Sequence, residues 1–288
     1  MEKRVVGVIG GSGVYALDAI EGAEKLAVET PWGPSSCPVV RGRMNGVEVA
    51  FLARHGEGHR IPPSEINYRA NIDALKRAGV TDVVSVSACG SFREEFSPGF
   101  FVIVDQFIDR TSGRAKSFFG TGCVAHVSMA DPVCPALGDA IEASCAALSI
   151  PHHRGGTYVA IDGPQFSSRA ESHLYKAWGA DVIGMTNMPE AKLAREAELP
   201  YATVAMVTDY DCWRENTAAV DVASVLGVMK QNTEAARRLV ADLAVGAFLG
   251  CITLTTLLAA PDVDFIFASY LLFEPLVILA GSIPAGRI

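Results

Sequence analysis

The chain lacks the spacings that would mark a cysteine-based site. Its seven cysteines (Cys37, Cys89, Cys123, Cys134, Cys145, Cys212 and Cys251) are odd in number and form no CxxC pair and no Cys/His metal pattern. That argues against a zinc module or a disulfide scaffold, and reads as buried, reduced thiols. Positive charge is scarce as well: 24 Lys and Arg stand against 32 Asp and Glu, for a net charge of -8 and a pI near 5.3. There is no electrostatic footprint for nucleic acid, so an anionic ligand has to be caught by a local set of donors. No apolar leader precedes the first strand pattern, which begins within Met1-Glu2-Lys3-Arg4-Val5-Val6-Gly7 and points to the cytoplasm. No repeat, low-complexity tract or Pro/Gly/Ser-rich linker divides the chain.

What is present is apolar and regularly alternating. Half of the 288 residues are hydrophobic and the mean hydropathy is +0.26. The pattern predicts strands over residues 4–9, 47–53, 82–87, 101–105, 157–161, 181–185 and 201–208. Helical periodicity falls between them, over 67–78, 136–148, 168–178, 189–198 and 220–243. Several strands are near-continuous apolar runs, as expected when helices cover both faces of a sheet. The expectation is one α/β domain with a mostly parallel sheet, its ligand at the carboxyl ends of the strands.

Polar clusters gather at those ends. Gly10-Gly11-Ser12-Gly13 follows the first strand, where glycines let backbone N–H groups approach an anion and Ser12 adds a hydroxyl. The same glycines fit a loose dinucleotide fingerprint, so a nicotinamide-binding oxidoreductase is the competing reading; no acidic strand end follows at the required distance. Arg54-His55-Gly56 closes another strand and offers a planar fork and a further donor to phosphate oxygens. With Ser87 and Thr186, these groups make a donor set free of a competing carboxylate. In Asp162-Gly163-Pro164-Gln165-Phe166, a turn carries an aromatic ring that either stacks on a flat ligand or joins the core. Asp209 and Asp211 end the most hydrophobic strand of the first 240 residues. In an apolar setting their pKa values rise, which suits a general acid for a departing purine; a helix cap is the plainer reading. No His or further carboxylate is spaced to make a metal site with them.

Taken in order, these motifs resemble the methylthioadenosine phosphorylases of the trimeric purine nucleoside phosphorylase family. The likeness runs from about Val5 to Leu243 and includes Ala53-Arg54-His55-Gly56, Ala88-Cys89-Gly90-Ser91-Phe92-Arg93, Gly163-Pro164-Gln165-Phe166-Ser167-Ser168-Arg169 and Thr208-Asp209-Tyr210-Asp211-Cys212-Trp213. The resemblance implies a single domain over residues 1–243 with a mixed, mostly parallel central sheet flanked by helices. It implies phosphate-dependent cleavage of 5'-methylthioadenosine to adenine and 5-methylthioribose 1-phosphate, in a homotrimer, with phosphate as co-substrate and no cofactor. It places phosphate at Ser12, Arg54, His55, Ser87 and Thr186, the ribose along Met185, the purine against Phe166, and His126 beside the methylthio group. Asp209 would face N7 of the purine and Asp211 the 6-amino group. Relatives that cleave 6-oxopurines carry Asn where Asp209 stands and Glu where Ser167 stands, so the pair seen here favours a 6-aminopurine over inosine or methylthioinosine.

Beyond residue 243 the likeness stops. Residues 243–260 and 266–283 are apolar runs, the second broken by Glu274 and Pro275. Each is marginal in length for a membrane span of roughly 20 residues. With no basic flank before Arg287 and no aromatic belt, a membrane hairpin is not expected. Residues 244–288 are expected to be an atypical tail unrelated to the family's own C-terminal region, consistent with a change of reading frame.

Overall fold

Val5, Val6, Val8 and Ile9 are all buried, so the first strand needs cover on both faces, and the fold supplies it. The computed structural model describes residues 4–11, 20–214, 222–258 and 277–279. Thirteen strands and five helices follow in chain order among them. The first strands are β1 (Val5–Gly10), β2 (Glu21–Leu26), β3 (Val39–Met44), β4 (Val47–Ala53), then α1 (Tyr68–Arg77) and β5 (Asp82–Ser91). The middle holds β6 (Phe101–Val104), β7 (Gln106–Asp109), β8 (Val124–His126), α2 (Pro135–Ala147), β9 (His152–Arg154), β10 (Thr157–Ala160) and α3 (Arg169–Ala177). The last part holds β11 (Val182–Gly184), α4 (Asn187–Glu196), β12 (Tyr201–Asp209), α5 (Val222–Leu258) and β13 (Val277–Leu279).

The main sheet runs β2-β3-β4-β1-β5-β11-β10-β7, with β12 branching from β5 and carrying β6 and then β9. The pairings β1–β4, β1–β5, β5–β12, β10–β11, β7–β10 and β6–β9 are parallel, and four others are antiparallel, so the sheet is mixed and mostly parallel. One expectation needs correcting. The polar clusters do not all lie at equivalent strand ends, because β11 runs antiparallel to β5, with Val182 opposite Ser91 and Ile183 opposite Gly90. β10 and β11 therefore approach from the opposite direction, and the two parallel sets meet head-on along the far half of β5. Ser87 lies inside β5 rather than past its end, since pairing with β12 and β11 keeps that strand extended to Ser91.

Helices cover both faces. On one, Leu137, Ile141 and Cys145 of α2 and Ala236, Leu239, Val240 and Leu243 of α5 pack on β1, β5, β6 and β12. On the other, Ile72, Ala74 and Leu75 of α1 meet Ala191, Leu193 and Ala194 of α4. Burying each of the larger of these side chains contributes about 1.5–3 kcal/mol. Asn67 caps α1, accepting from the Ala70 N–H at 3.2 Å, and Ser168 with Glu171 forms a capping box at α3. α5 runs unbroken through the position where the sequence changes character, to Leu258, and β13 pairs antiparallel with β8, Val277 opposite His126. Among the described residues no helix is long and apolar enough to cross a membrane.

Candidate active site

Arg54 stands at the end of β4, where its N–H bonds the Gly10 carbonyl at 3.0 Å and ties the loops after β1 and β4 together. Its side chain turns inward and is 2% exposed. Nε donates to Glu190 Oε2 at 2.7 Å, and Nη2 to Glu190 Oε1 at 3.0 Å and Ser85 Oγ at 2.7 Å. Nη1 donates to the Val86 carbonyl at 3.2 Å. Burial disfavours the charge, but the Glu190 carboxylate outweighs it and holds the guanidinium pKa above its ordinary value. The expectation of a donor set without a competing carboxylate is thus corrected: Glu190, in the first turn of α4, is that carboxylate.

Glu190 is the hub of a buried network. Its Oε1 also accepts from Ser85 Oγ at 2.7 Å and Tyr201 OH at 2.9 Å. Asn187 donates from Nδ2 to Tyr201 OH at 3.2 Å and to Thr203 Oγ1, while its Oδ1 accepts from Ser87 Oγ at 2.9 Å. The structure therefore brings Arg54, Ser87 and the Thr186–Glu190 segment together, through partners not foreseen. Thr186, the residue before α4, is buried and its hydroxyl makes no capping bond. Ser12 lies outside the described residues.

His55 is oriented by its own loop. Nδ1 lies 2.8 Å from the Ile61 carbonyl, which can only accept, so Nδ1 carries the proton; the ring stacks on His59 with centroids 4.1 Å apart. Burial, with Arg54 and His59 adding to it, lowers the pKa to about 4. A neutral ring with Nδ1 protonated presents a bare lone pair at Nε2. His55 is then an acceptor there, not the additional donor expected from the sequence.

The other pole is built where β12 meets β5. The pairing shifts register between Val207 and Asp209, leaving Asp209 opposite Gly90. A Cβ on Gly90 would lie 3.0 Å from Asp209 Oδ1 and 3.3 Å from Asp211 Cβ, so glycine lets the carboxylates close on the strand. Asp209 Oδ2 accepts from Thr208 Oγ1 and Oδ1 from the Asp211 N–H, both at 2.8 Å. Asp211 has a left-handed backbone (φ 51°), is buried, and its Oδ2 has no partner. Burial raises the pKa of both carboxyls, as expected, against the hydrogen bonds that lower them; Asp209 adds to the rise at Asp211.

Phe166 lies in the β10–α3 loop and is 49% exposed, so it is not an ordinary core residue. A cavity of about 520 Å³ opens beside it, lined also by Asp109, Asp162, Gln165, Glu171 and Tyr175 but not by Asp209 or Met185. Met185 packs against Gly163 of that loop, where a Cβ would stand 2.3 Å from Met185 Sδ. His126 is exposed on β8, and none of the contacts that join the other candidates includes it. Tyr158 was not anticipated: its hydroxyl is fully buried without a partner and would collide with any side chain at position 184. Glu190 had one visible signal, a lone acid in the segment Asn187-Met188-Pro189-Glu190 directly after Met185-Thr186. Arg114 had none, being one basic residue in a Ser/Gly loop.

The model of the phosphorylase superfamily matches residues 5–244, the span that holds this forked sheet, its buried donors and its carboxylate pair. The S-methyl-5'-thioadenosine phosphorylase of Rhodospirillum rubrum is 62% identical over 238 residues, covering 83% of this chain and 81% of the relative. That of Cereibacter sphaeroides is 60% identical over 241 residues, 84% and 83% of the two chains. A crystal structure of methylthioadenosine phosphorylase from an Antarctic soil metagenomic library superposes with a TM-score of 0.82 at 45% identity, covering 96% of this chain and 93% of that one. The Schistosoma mansoni methylthioadenosine phosphorylase in complex with adenine gives a TM-score of 0.82 at 38% identity, over 86% and 93% of the chains. The chain belongs to the phosphorylase superfamily and, within it, to the methylthioadenosine phosphorylase family. The dinucleotide reading of the glycine loop is set aside by that membership.

Proposed function

We propose that the protein cleaves 5'-methylthioadenosine with inorganic phosphate, releasing adenine and 5-methylthioribose 1-phosphate, without a cofactor. The observation that carries this reading is the buried pair Asp209 and Asp211, raised in pKa and with one oxygen unpartnered, in a family whose named relatives act on this substrate. A carboxyl whose pKa is raised by burial is a better proton donor to N7 as the purine leaves. Asp211, whose buried carboxyl faces Ser172, is assigned the exocyclic amino group. A 6-oxo group would leave that acceptor unpaired, at a cost of about 1–3 kcal/mol.

Phosphate is assigned to Ser12, Arg54, His55, Ser87 and Thr186, where it attacks C1' from the face opposite the base and stabilises the oxocarbenium-like sugar. Since His55 offers a lone pair at Nε2, it receives the hydroxyl of monohydrogen phosphate. Met185 lies along the ribose, Phe166 over the purine, and His126 serves the methylthio group of a neighbouring pocket in a cytoplasmic homotrimer, consistent with its exposed position. No covalent enzyme intermediate is required, so positioning and electrostatics supply the rate. We assign residues 244–288 to a tail outside the phosphorylase domain.

The test is adenine release from methylthioadenosine, with and without phosphate, beside inosine and methylthioinosine. Phosphate-dependent release from methylthioadenosine above the others is expected. Release without phosphate means a hydrolase and sinks the reading. The same assay on a chain ending at Leu243 tests the boundary, since loss of activity there would make the tail part of the domain.

A further inference from the structure

We infer that Arg114 is a positioning residue of this site, holding the loop that carries Phe166 and the strand end that carries Met185 and Thr186 in one fixed relation. What those segments bind rests on the function proposed above; that Arg114 joins them is a matter of geometry. Arg114 lies in the turn after β7, and its side chain is 1% exposed. A guanidinium withdrawn from water is costly unless its donors are matched.

Here they are matched mainly by neutral backbone. Nη1 donates to the Met185 and Met188 carbonyls, both at 2.7 Å, and to Tyr68 OH at 3.1 Å. Nη2 donates to the Asp162 carbonyl at 2.9 Å, the Ile161 carbonyl at 3.3 Å and Ser64 Oγ at 3.3 Å. The nearest acidic oxygen, Asp162 Oδ1, is 3.6 Å from Nε, too far to bond, and Nε has no partner. A buried cation that spends its hydrogen bonds on four carbonyls from two segments serves to gather backbone rather than to pair a charge.

The gathered segments are the ones the reaction needs. A peptide unit is planar, so fixing the Met185 carbonyl toward Arg114 turns the Thr186 N–H the other way, and fixing the Asp162 carbonyl does the same for Gly163. The two segments already touch, since Gly163 leaves no room for a side chain beside Met185 Sδ. Arg114 sits behind that contact and holds both sides of it. Lysine could not replace it: an ammonium has three donors and no planar fork, against six acceptors here.

The experiment compares Arg114→Lys and Arg114→Ala with the wild-type chain in phosphate-dependent adenine release, with and without added methylguanidine. Misplacing reacting groups by about 1 Å costs about 100-fold, so Arg114→Lys is expected to lose about 100-fold in kcat/KM, chiefly in kcat, while still melting cooperatively. Methylguanidine is expected to restore Arg114→Ala at least about 10-fold and to leave the wild type unchanged, because it refills the same donor set. Wild-type kcat/KM in a folded variant overturns the assignment, as does a folded Arg114→Ala that methylguanidine does not rescue. If Arg114→Ala does not fold, Arg114→Lys decides alone. Failure of both to fold makes Arg114 a stability residue only and also overturns it. If the wild type releases no adenine, the functional reading fails separately. The clamp is then read by hydrogen exchange over residues 162–166 and 185–188, which Arg114→Lys should accelerate; unchanged exchange overturns it.

Discussion

Arg54 and Glu190 meet through two parallel hydrogen bonds, Nε to Oε2 at 2.7 Å and Nη2 to Oε1 at 3.0 Å, with both side chains 2% exposed. The pair makes this part of the site close to neutral. Under the proposed assignment, an incoming phosphate meets a guanidinium already held in place, with hydroxyls and backbone around it, rather than a loose positive charge. Preorganisation of this kind costs stability to build and spares reorganisation during the reaction.

The pair therefore has a measurable dependence on both partners. Glu190→Ala strands a buried guanidinium and is expected to cost about 3–5 kcal/mol in urea unfolding. Replacing both, as Arg54→Met with Glu190→Leu, removes both charges and should recover much of that stability while phosphate-dependent cleavage stays lost. A single-variant cost below about 1 kcal/mol would place the pair among weak, solvated contacts instead.

His55 supplies a pH signature. Its folded pKa, about 4, lies below the ordinary 6.5, so the folded state resists protonation. The stability tied to this group is complete above pH 6.5 and is lost as pH falls toward 4. His55→Gln should flatten the stability profile across that window. Nitrogen-15 NMR at pH 7 should show Nδ1 protonated and Nε2 bare; a doubly protonated ring at that pH would refute the acceptor role.

The sequence carried the strongly periodic elements and the motif residues, and it missed what only pairing decides. The run at 47–53 is β4 to the residue, and Ser168 did mark the start of α3, because continuous burial and a capping box are local signals. β2 was invisible: Glu21–Leu26 is polar and almost wholly exposed, an edge strand held by pairing with β3. The direction of β11 was also invisible, since three apolar residues read the same way in either orientation. Asp209, Asp211 and Arg54 were legible as chemistry at strand ends, and Ser87 as a hydroxyl donor whose place inside β5 was not. The roles of Glu190, visible only as a lone acid, and of Arg114 were not legible, because they arise from contacts 136 residues away in one case and 71 in the other.

Asp211 links stability to function in opposite directions. It combines a left-handed backbone, which asparagine tolerates well, with a buried carboxylate oxygen that has no partner. Burial, reinforced by Asp209, raises its pKa above the ordinary 3.8, so the folded state binds the proton more tightly than the unfolded state does. Ionisation then lowers stability, a penalty absent below the ordinary value and complete once pH exceeds the folded pKa. Asp211→Asn removes the charge without changing the side-chain outline. It should melt higher than the wild type at pH 7, and the difference should shrink as pH falls toward 4. Because the amide presents a donor where the amino group of adenine needs an acceptor, kcat/KM for methylthioadenosine should fall about 10-fold or more. Thermal melts from pH 4 to 8 beside adenine-release kinetics read both effects. A variant that melts lower than the wild type at pH 7, or a difference that does not narrow in acid, would mean that Asp211 is held by partners that its geometry does not show.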